Sequence, residues 1–218
     1  LDVIGSVSET NLDSFVLELA PLGSEDFTRL ASGSGAVNGA MARLDPNRLM
    51  NGAYLLRLTA TDISGRTAAT ARVIEINSAP KTAAFTTAVT DIAIVFPISG
   101  QPDFTLPITR RYSSLDADVH GSFGFGWQLA GADPHLTTNV LPTGQESLGV
   151  FNPFSPGTRV YLNLPDGRRA GYTFTPARRE EGGLVFYTPA WTADAGIDYQ
   201  LASADAVLEL AGGGFYQL

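Results

Sequence analysis

The sequence predicts an all-β protein, with a β-sandwich over residues 1–78 and a β-sheet unit over residues 79–218. Several runs alternate apolar and polar residues with a period of two, which is typical of strands that bury one face. Turn-forming residues separate these runs at intervals of about ten residues, as in β-sandwiches. No stretch has a sustained helical period, and the one short helical turn that we expect lies around 45–49.

The first unit contains alternating runs in which the apolar side chains share one face of a strand. These runs lie at 14–20, 53–60 and 72–76. The apolar positions of the first two runs are Phe15, Leu17, Leu19, Tyr54, Leu56 and Leu58. The segments that flank these runs, at 21–24, 51–52 and 62–65, contain glycine, asparagine, proline and aspartate. Such residues favour tight turns, so the pattern predicts antiparallel strands.

A small, polar segment from Asn77 to Lys81 is predicted to link the two units, because Pro80 has no amide to donate to a strand ladder. Beyond it, strands are predicted at 91–96, 104–112, 159–164, 171–175 and 184–187. Residues 165–168 read Pro-Asp-Gly-Arg, which predicts a hairpin turn between two of these strands.

The amino-acid composition of the chain excludes some classes of function. The chain has 218 residues, of which 44% are hydrophobic and 17% charged, so it has enough apolar material for a core. Its net charge of −8 disfavours binding to the phosphate backbone of nucleic acids. No apolar run is long enough to span a membrane, and no signal peptide is visible. Both ends resemble cuts through strand-like sequence, so we expect the chain to belong to a larger secreted or cell-surface protein.

No constellation of residues predicts catalysis, a cofactor or a metal. The chain has no cysteine, which removes thiolate nucleophiles and thiolate zinc sites. His120 and His135 stand outside any metal-ligand spacing, and the Gly33-Ser34-Gly35 stretch lacks the pattern of a catalytic serine. The chain is therefore predicted not to be an enzyme.

Two pairs of acidic residues in predicted loops are candidate ligands for a calcium ion. The pairs are Asp116 with Asp118 and Asp194 with Asp198. Neither stretch has the glycine and glutamate positions of an EF-hand loop, so we interpret both as surface loops.

The glycine-dense segment 121–127 is the most distinctive stretch of the chain. A dinucleotide-binding loop would need a helix after it, and none is predicted here. We expect Phe123, Phe125 and Trp127 to bury against a sheet while the glycines turn the backbone. Arg110 and Tyr112 continue the apolar face of the strand 104–112, so we predict a structural anchor. Its members are Arg110, Tyr112, Gly124, Gly126 and Trp127.

These motifs, in this order, resemble the start of the Rhs/YD-repeat shell. The resemblance rests on the strand 91–97, on Thr109-Arg110-Arg111-Tyr112-Ser113-Ser114 and on Phe123-Gly124-Phe125-Gly126-Trp127, with 156–169 similar to the region that follows. Residues 1–78 are similar to the Ig-like or fibronectin-like module that precedes the shell in some bacterial members, and positions within 45–65 carry that likeness. The hallmark Tyr-Asp repeats and the self-cleaving core of the family are absent from this sequence.

The resemblance implies a non-catalytic structural segment. Rhs proteins, insecticidal toxin-complex subunits and teneurins enclose or present a C-terminal domain within a β-shell, so the partner implied here is the remainder of the same polypeptide. Two alternatives stay open from the residues themselves. One is a carbohydrate-binding module that stacks sugars on exposed Trp191 with Tyr187 or Tyr199. The other is an adhesive module that binds a cell-surface partner.

Overall fold

The computed structural model describes residues 1–78, 81–203 and 206–217. It confirms the all-β class, with 53% of residues in strands and 4% in helix, arranged as several antiparallel sheets. The helical pieces in these ranges are short 3-10 turns at Pro46–Arg48, Ser114–Asp116 and Glu146–Leu148. Within the same ranges, no helix has the length and apolar character needed to cross a bilayer.

The first six strands form two antiparallel sheets. Their bounds are β1 Asp2–Val7, β2 Leu12–Pro21, β3 Thr28–Gly33, β4 Val37–Arg43, β5 Gly52–Asp62 and β6 Thr67–Ile76. One sheet has the order β3-β2-β5-β6, and the other pairs β1 with β4. The three runs predicted in this part of the sequence fall within β2, β5 and β6.

The core of this part lies between the two sheets. Leu17 of β2 pairs with Leu58 of β5, and Leu19 pairs with Leu56, so the alternating apolar positions meet on one face. The fully buried members of the cluster are Leu19, Leu44, Tyr54 and Ile76. Val3 of β1 and Leu30 of β3 pack against it, so both sheets contribute side chains. Burial of these side chains is the main force that holds the sandwich together.

The remaining strands begin after the predicted linker. Their bounds are β7 Thr86–Phe96, β8 Phe104–Ser113, β9 His120–Gly121, β10 Gly124–Phe125, β11 Trp127–Leu129, β12 Thr137–Thr138, β13 Arg159–Asn163, β14 Arg169–Phe174, β15 Ala177–Glu181, β16 Leu184–Thr188, β17 Trp191–Ala193, β18 Glu209–Gly212 and β19 Phe215–Gln217. They form the sheets β11-β8-β7 and β12-β13-β14-β17, with three further two-stranded hairpins.

Aromatic side chains build the core of the β12-β13-β14-β17 sheet. Tyr161, Tyr172 and Phe174 are at most 1% exposed. The ring centroid of Phe174 lies 5.3 Å from that of Trp191 and 5.9 Å from that of Tyr216. Because Tyr216 belongs to β19, the last strands of the chain are fastened to this sheet through aromatic contacts.

The predicted turn at 165–168 joins β13 to β14, as expected. The amide of Leu164 donates to the carbonyl of Arg168 at 2.7 Å, and the amide of Gly167 donates to the carbonyl of Leu164 at 2.9 Å. Gly167 has a φ of +89°, a conformation that favours glycine. The Asp166 carboxylate also accepts from the Arg168 amide at 2.9 Å, so the side chain of the turn stabilises it.

The predicted linker is described only at its ends, because Ala79 and Pro80 lie outside the described residues. After it, the Lys81 ammonium donates to the carbonyl of Pro46 at 2.8 Å and to the Ser78 hydroxyl at 2.8 Å. These bonds fasten the start of the second part to the 3-10 turn of the first.

Candidate functional site

Strand pairing brings the predicted anchor residues together. In the β8-β11 pair, Trp127 lies opposite Tyr112 and Leu129 lies opposite Arg110. The rings of Tyr112 and Trp127 are 5.4 Å apart between centroids and tilted by 52°. Aromatic pairs at this separation add a small attraction beyond the area that they bury. The pair therefore fastens β11 to the base of the β7-β8 hairpin.

Arg110 completes this contact from the same face of β8. Its guanidinium carbon lies 5.3 Å from the ring centroid of Trp127 and 5.7 Å from that of Phe123. Both distances lie within the range of cation–π attraction. The same guanidinium donates to the Asp91 carboxylate at 2.6 and 2.8 Å. Asp91 is thus a sixth member of the anchor, which local sequence patterns could not identify.

The two glycines predicted in the anchor have different roles. Gly126 has a φ of +73°, and a Cβ added there would lie 2.5 Å from the Tyr112 ring. Any side chain at this position would push Tyr112 away from Trp127. Gly124 has a φ of +99° but faces open space, so only its backbone conformation favours glycine.

The prediction that all three aromatic side chains of the glycine-dense segment bury is wrong. Trp127 is partly buried, whereas Phe123 is 44% exposed and Phe125 is 64% exposed. The short β9-β10 hairpin, in which Phe125 pairs with His120, folds the segment back on itself. The two phenylalanines therefore lie on a narrow turn instead of against a sheet, and Phe125 packs edge-on against the His120 ring at 5.2 Å.

Because Trp127 is only partly buried, its replacement should cost less than that of a core aromatic residue. We expect Trp127→Ala to lower the free energy of unfolding by about 2 kcal/mol, from lost burial and the lost Arg110 contact. Chemical denaturation of the variant beside the parent measures this. Phe125→Ala, in the same segment but mostly exposed, is the matched control and should change the midpoint little. Equal effects of the two substitutions on the denaturation midpoint would contradict the interpretation of this cluster as an anchor.

A second cluster, which we name the arginine junction, joins the sandwich to the β12-β13-β14-β17 sheet. At its centre, the Arg169 guanidinium donates to the backbone carbonyl of Asn51 at 2.6 Å and to that of His135 at 2.8 Å. It also donates to Asn163 Oδ1 at 2.9 Å and to Thr137 Oγ1 at 2.7 Å. One side chain therefore ties the start of β5 to three segments of the second part.

The junction continues at Arg159. Its guanidinium donates to both carboxylate oxygens of Asp194 at 2.7 and 2.6 Å and to Glu75 at 3.1 Å. The hydroxyl of Tyr161 also donates to Glu75, and Asn77 donates to Asp194 at 2.9 Å. Burial, together with the bond to Glu75, holds the pKa of Tyr161 above its usual value. Residues at the end of β6 are thus bonded to β13 and to the loop after β17.

Two titratable groups beside Arg169, the buried Asp116 and the partly buried His135, have perturbed pKa values. Burial raises the pKa of the Asp116 carboxyl, although the nearby Arg169 charge acts in the opposite direction. Burial and the Arg169 charge both lower the pKa of His135. Asp116 Oδ1 and His135 Nδ1 lie 3.8 Å apart, and neither atom has a hydrogen-bond partner among the residues that the structure describes. His135 has a φ of +41°, which the bond from Arg169 to its carbonyl helps to hold.

The lowered pKa of His135 predicts acid sensitivity. Below the usual histidine pKa of 6.5, the unfolded chain takes up a proton that the folded chain resists, so stability should fall as the pH drops from about 7 to 5. His135→Gln should flatten this part of the pH profile. Urea midpoints measured across the range give the result, with His120→Gln at an exposed position as the matched control. A parent and a His135→Gln variant with the same slope would contradict the interpretation.

The acidic pairs considered for calcium are mostly engaged with arginines or buried. Asp194 pairs with Arg159, Asp198 pairs with Arg168 at 2.9 Å, and Asp116 is buried. Asp118 and Asp198 are exposed, which fits the surface-loop interpretation for those two residues. Among the described residues, no group of three or more histidine, cysteine or acidic side chains is arranged to hold a metal ion.

The aromatic side chains that the carbohydrate hypothesis requires do not form a flat, exposed surface. Trp191 is partly buried, and its ring packs against Phe154 and Phe174 with centroids 6.0 and 5.3 Å away. Tyr187 packs against Tyr216 at 5.3 Å. Tyr199 is 37% exposed but does not join this cluster through its ring. Trp191 and Tyr187, which the carbohydrate hypothesis places together as sugar-stacking rings, therefore pack against other aromatic side chains of the core.

A cavity of about 380 Å³ lies between β8, β11 and the β13-β14 turn. The charged residues that line it are Arg111, Asp116, Asp133, Asp166 and Arg168. The Asp133 carboxylate accepts from the amide and hydroxyl of Ser122 at 3.0 and 2.8 Å, so it closes a loop. Asp166 is bonded to Arg168 within the turn. Asp133 and Asp166 therefore both hold loop backbone in place, because each also accepts from a backbone amide.

Comparisons of the chain with protein-family models, with curated proteins and with solved structures find no match. The anchor and the arginine junction are the two best-defined side-chain clusters on which a functional interpretation can be built.

Proposed function

We propose that this chain is a non-catalytic structural segment of a larger secreted or cell-surface protein of the Rhs/YD-repeat type. In this role, the sandwich and the following sheet unit help to build or cap a β-shell around a C-terminal domain. The partner is the remainder of the same polypeptide. The motif order of residues 91–127 supports the family, and the contacts of the same residues support a structural role.

The arginine junction is the observation that carries the structural role. Its charged groups bind backbone carbonyls and each other across the two parts of the chain, with Arg169 and Arg159 at the centre. Hydrogen bonds between such charged and polar groups fix the relative orientation of the segments that carry them. A scaffold needs its modules held at a fixed angle, and this network supplies that rigidity.

Any sequence that follows residue 218 in the full-length protein would test the family directly. Recurring Tyr-Asp and Gly-Arg motifs at a spacing of roughly twenty residues would support a shell. A series of further sandwich domains would instead favour an adhesive protein and contradict the proposal.

A binding experiment distinguishes the carbohydrate hypothesis from the scaffold proposal. On a glycan array and in glycosidase assays, the scaffold proposal predicts neither specific binding nor turnover. Binding at micromolar affinity that is lost in Tyr199→Ala, which removes an exposed ring, would favour a carbohydrate module.

A further inference from the structure

The face of β8 that points away from the anchor directs one arginine side chain into a cavity. Arg111 lies opposite Ala88 of β7 and Gln128 of β11, and residues paired in this way share a face of the sheet. Because side chains alternate along a strand, Arg111 points away from the face that holds Arg110 and Tyr112. Arg111 and its two paired residues line the cavity of about 380 Å³ described above, which we name the Arg111 cavity.

The Arg111 guanidinium has no counter-charge within the described part of the chain. The side chain is partly buried, and its buried Nε has no hydrogen-bond partner among the residues that the structure describes. Arg57 has such an Nε too, but its guanidinium reaches the Glu18 carboxylate at 3.0 Å, whereas no ion pair of the described residues includes Arg111. Withdrawing a charge from water without a partner is unfavourable, so this guanidinium gains stability from an acceptor that enters the cavity.

The aspartates that line the same cavity are bonded to other groups. Asp116 accepts from a glutamine side chain at 3.1 Å, and Asp133 accepts from two backbone amides at 3.0 and 2.8 Å. Asp166 is paired with Arg168 at 2.8 Å, so these two charges balance each other. Burial raises the pKa of the Asp116 carboxyl, which favours its neutral form. The lining as a whole is therefore close to neutral and favours a ligand with one negative charge over a ligand with two.

The shape of the site indicates which anion it suits. The fork of N–H groups on an arginine matches the two oxygens of a carboxylate and binds them with two parallel hydrogen bonds. The β13-β14 turn passes close to one side of this fork, since a Cβ added at Gly167 would lie 2.9 Å from Arg111 Nη1. The cavity has room for about a dozen water-sized groups, and its volume lies within the range of about 300–1,000 Å³ that is usual for small-molecule sites.

We propose that the Arg111 cavity is a binding site for a small organic monocarboxylate. The carboxylate pairs with the Arg111 guanidinium, and the uncharged part of the ligand fills the space beside Ala88 and Ala130. The site is independent of the shell role, because every residue that forms it lies within the described chain.

An NMR titration of the 218-residue chain tests the site with matched pairs of probes. The carboxylates are acetate, lactate, benzoate and phenylacetate, and each is compared with its own amide, which has nearly the same shape without the charge. We expect at least one carboxylate to bind with a Kd on the order of 1 mM or below, and its amide to bind at least about tenfold more weakly. The backbone amide of Gly167 and the side-chain amide of Gln128 should shift on binding, since both residues line the cavity.

Variants show whether the binding depends on this cavity. Arg111→Gln should weaken the tightest carboxylate at least about tenfold, and Arg111→Lys, which keeps the charge but not the fork, should weaken it less. Ala88→Leu leaves Arg111 in place but adds volume to the cavity, so it should also weaken binding. Arg178→Gln is the matched control, because it removes an exposed arginine and should bind like the parent. The thermal unfolding of each variant shows that it is folded.

Several results would overturn the proposal. One is that no carboxylate shifts the two resonances up to about 10 mM, tenfold above the expected Kd. Equal binding of carboxylates and amides, or an equal loss of binding in Arg178→Gln, would mean that the Arg111 guanidinium does not select the ligand. Tighter binding of inorganic phosphate than of every carboxylate would show a site for doubly charged anions and would equally contradict it.

Discussion

Replacing Phe174 with alanine is expected to lower the free energy of unfolding by about 3–5 kcal/mol, the usual cost of deleting a large aromatic side chain from a core. Phe174 is 1% exposed. Its ring contacts those of Phe154, Trp191 and Tyr216, at 5.6, 5.3 and 5.9 Å. Losing it should loosen β14 and, through Tyr216, the last hairpin of the chain. Guanidinium denaturation followed by tryptophan fluorescence measures the effect.

The matched control is Phe151→Ala, because Phe151 is the same residue type at 66% exposure. It should change the denaturation midpoint only slightly. A Phe174→Ala variant as stable as this control would mean that the aromatic cluster does not form the core of the sheet.

Replacing Arg169 with methionine is expected to cost about 3 kcal/mol, because it strips donors from carbonyl and side-chain oxygens that the junction partly buries. The variant should also loosen the coupling between the sandwich and the sheet unit. We therefore expect its denaturation curve to split into two transitions where the parent shows one. Differential scanning calorimetry and intrinsic fluorescence, recorded on the same samples, report both changes.

Two further variants control this experiment. Arg169→Lys keeps the charge but not the planar fork of donors, so its loss of stability should be intermediate. Arg178→Met removes an arginine whose ion pair with Glu180 is more than half exposed on both sides, and it should behave like the parent. If Arg169→Met retains the parent's stability and a single transition, the junction does not couple the two parts.

Local patterns in the sequence were sufficient to predict much of the fold. The period-two runs correspond to β2, β5 and β6, and the Pro-Asp-Gly-Arg stretch forms the β13-β14 turn. The short turn expected at 45–49 is the 3-10 turn Pro46–Arg48. These features depend on side-chain alternation and on backbone preferences within a few residues. Strands such as β1 and β4, with small or irregular side chains, gave no comparable signal.

The junction could not have been predicted, because its contacts join residues far apart in sequence. Arg159 and Glu75 are separated by 84 positions, and Arg169 and Asn51 by 118. No local pattern distinguishes these arginines from surface arginines such as Arg178. The wrong predictions of side-chain burial have the same origin. Phe123 and Phe125 satisfy an aromatic alternation, but their exposure is decided by how the β9-β10 turn is placed against the rest of the chain.

The residues of the predicted anchor lie together in the structure, and the stabilising role of the anchor stays a prediction. The alternation in β8 puts Arg110 and Tyr112 on one face, and the glycines allow Trp127 to reach it. The partner of Arg110, Asp91, comes from a neighbouring strand in a register that a bulge shifts by one residue. Bulges change pairing without a clear sequence signature, so this ion pair needed the structure.

Electron cryo-microscopy of the intact polypeptide tests the central claim most directly. The account predicts that the sheets of the second part continue into the wall of a closed β-shell, with the sandwich fixed to the β12-β13-β14-β17 sheet through Arg169. An open chain of separate sandwich domains, with the β7-β8 hairpin exposed to solvent on both faces, would contradict it.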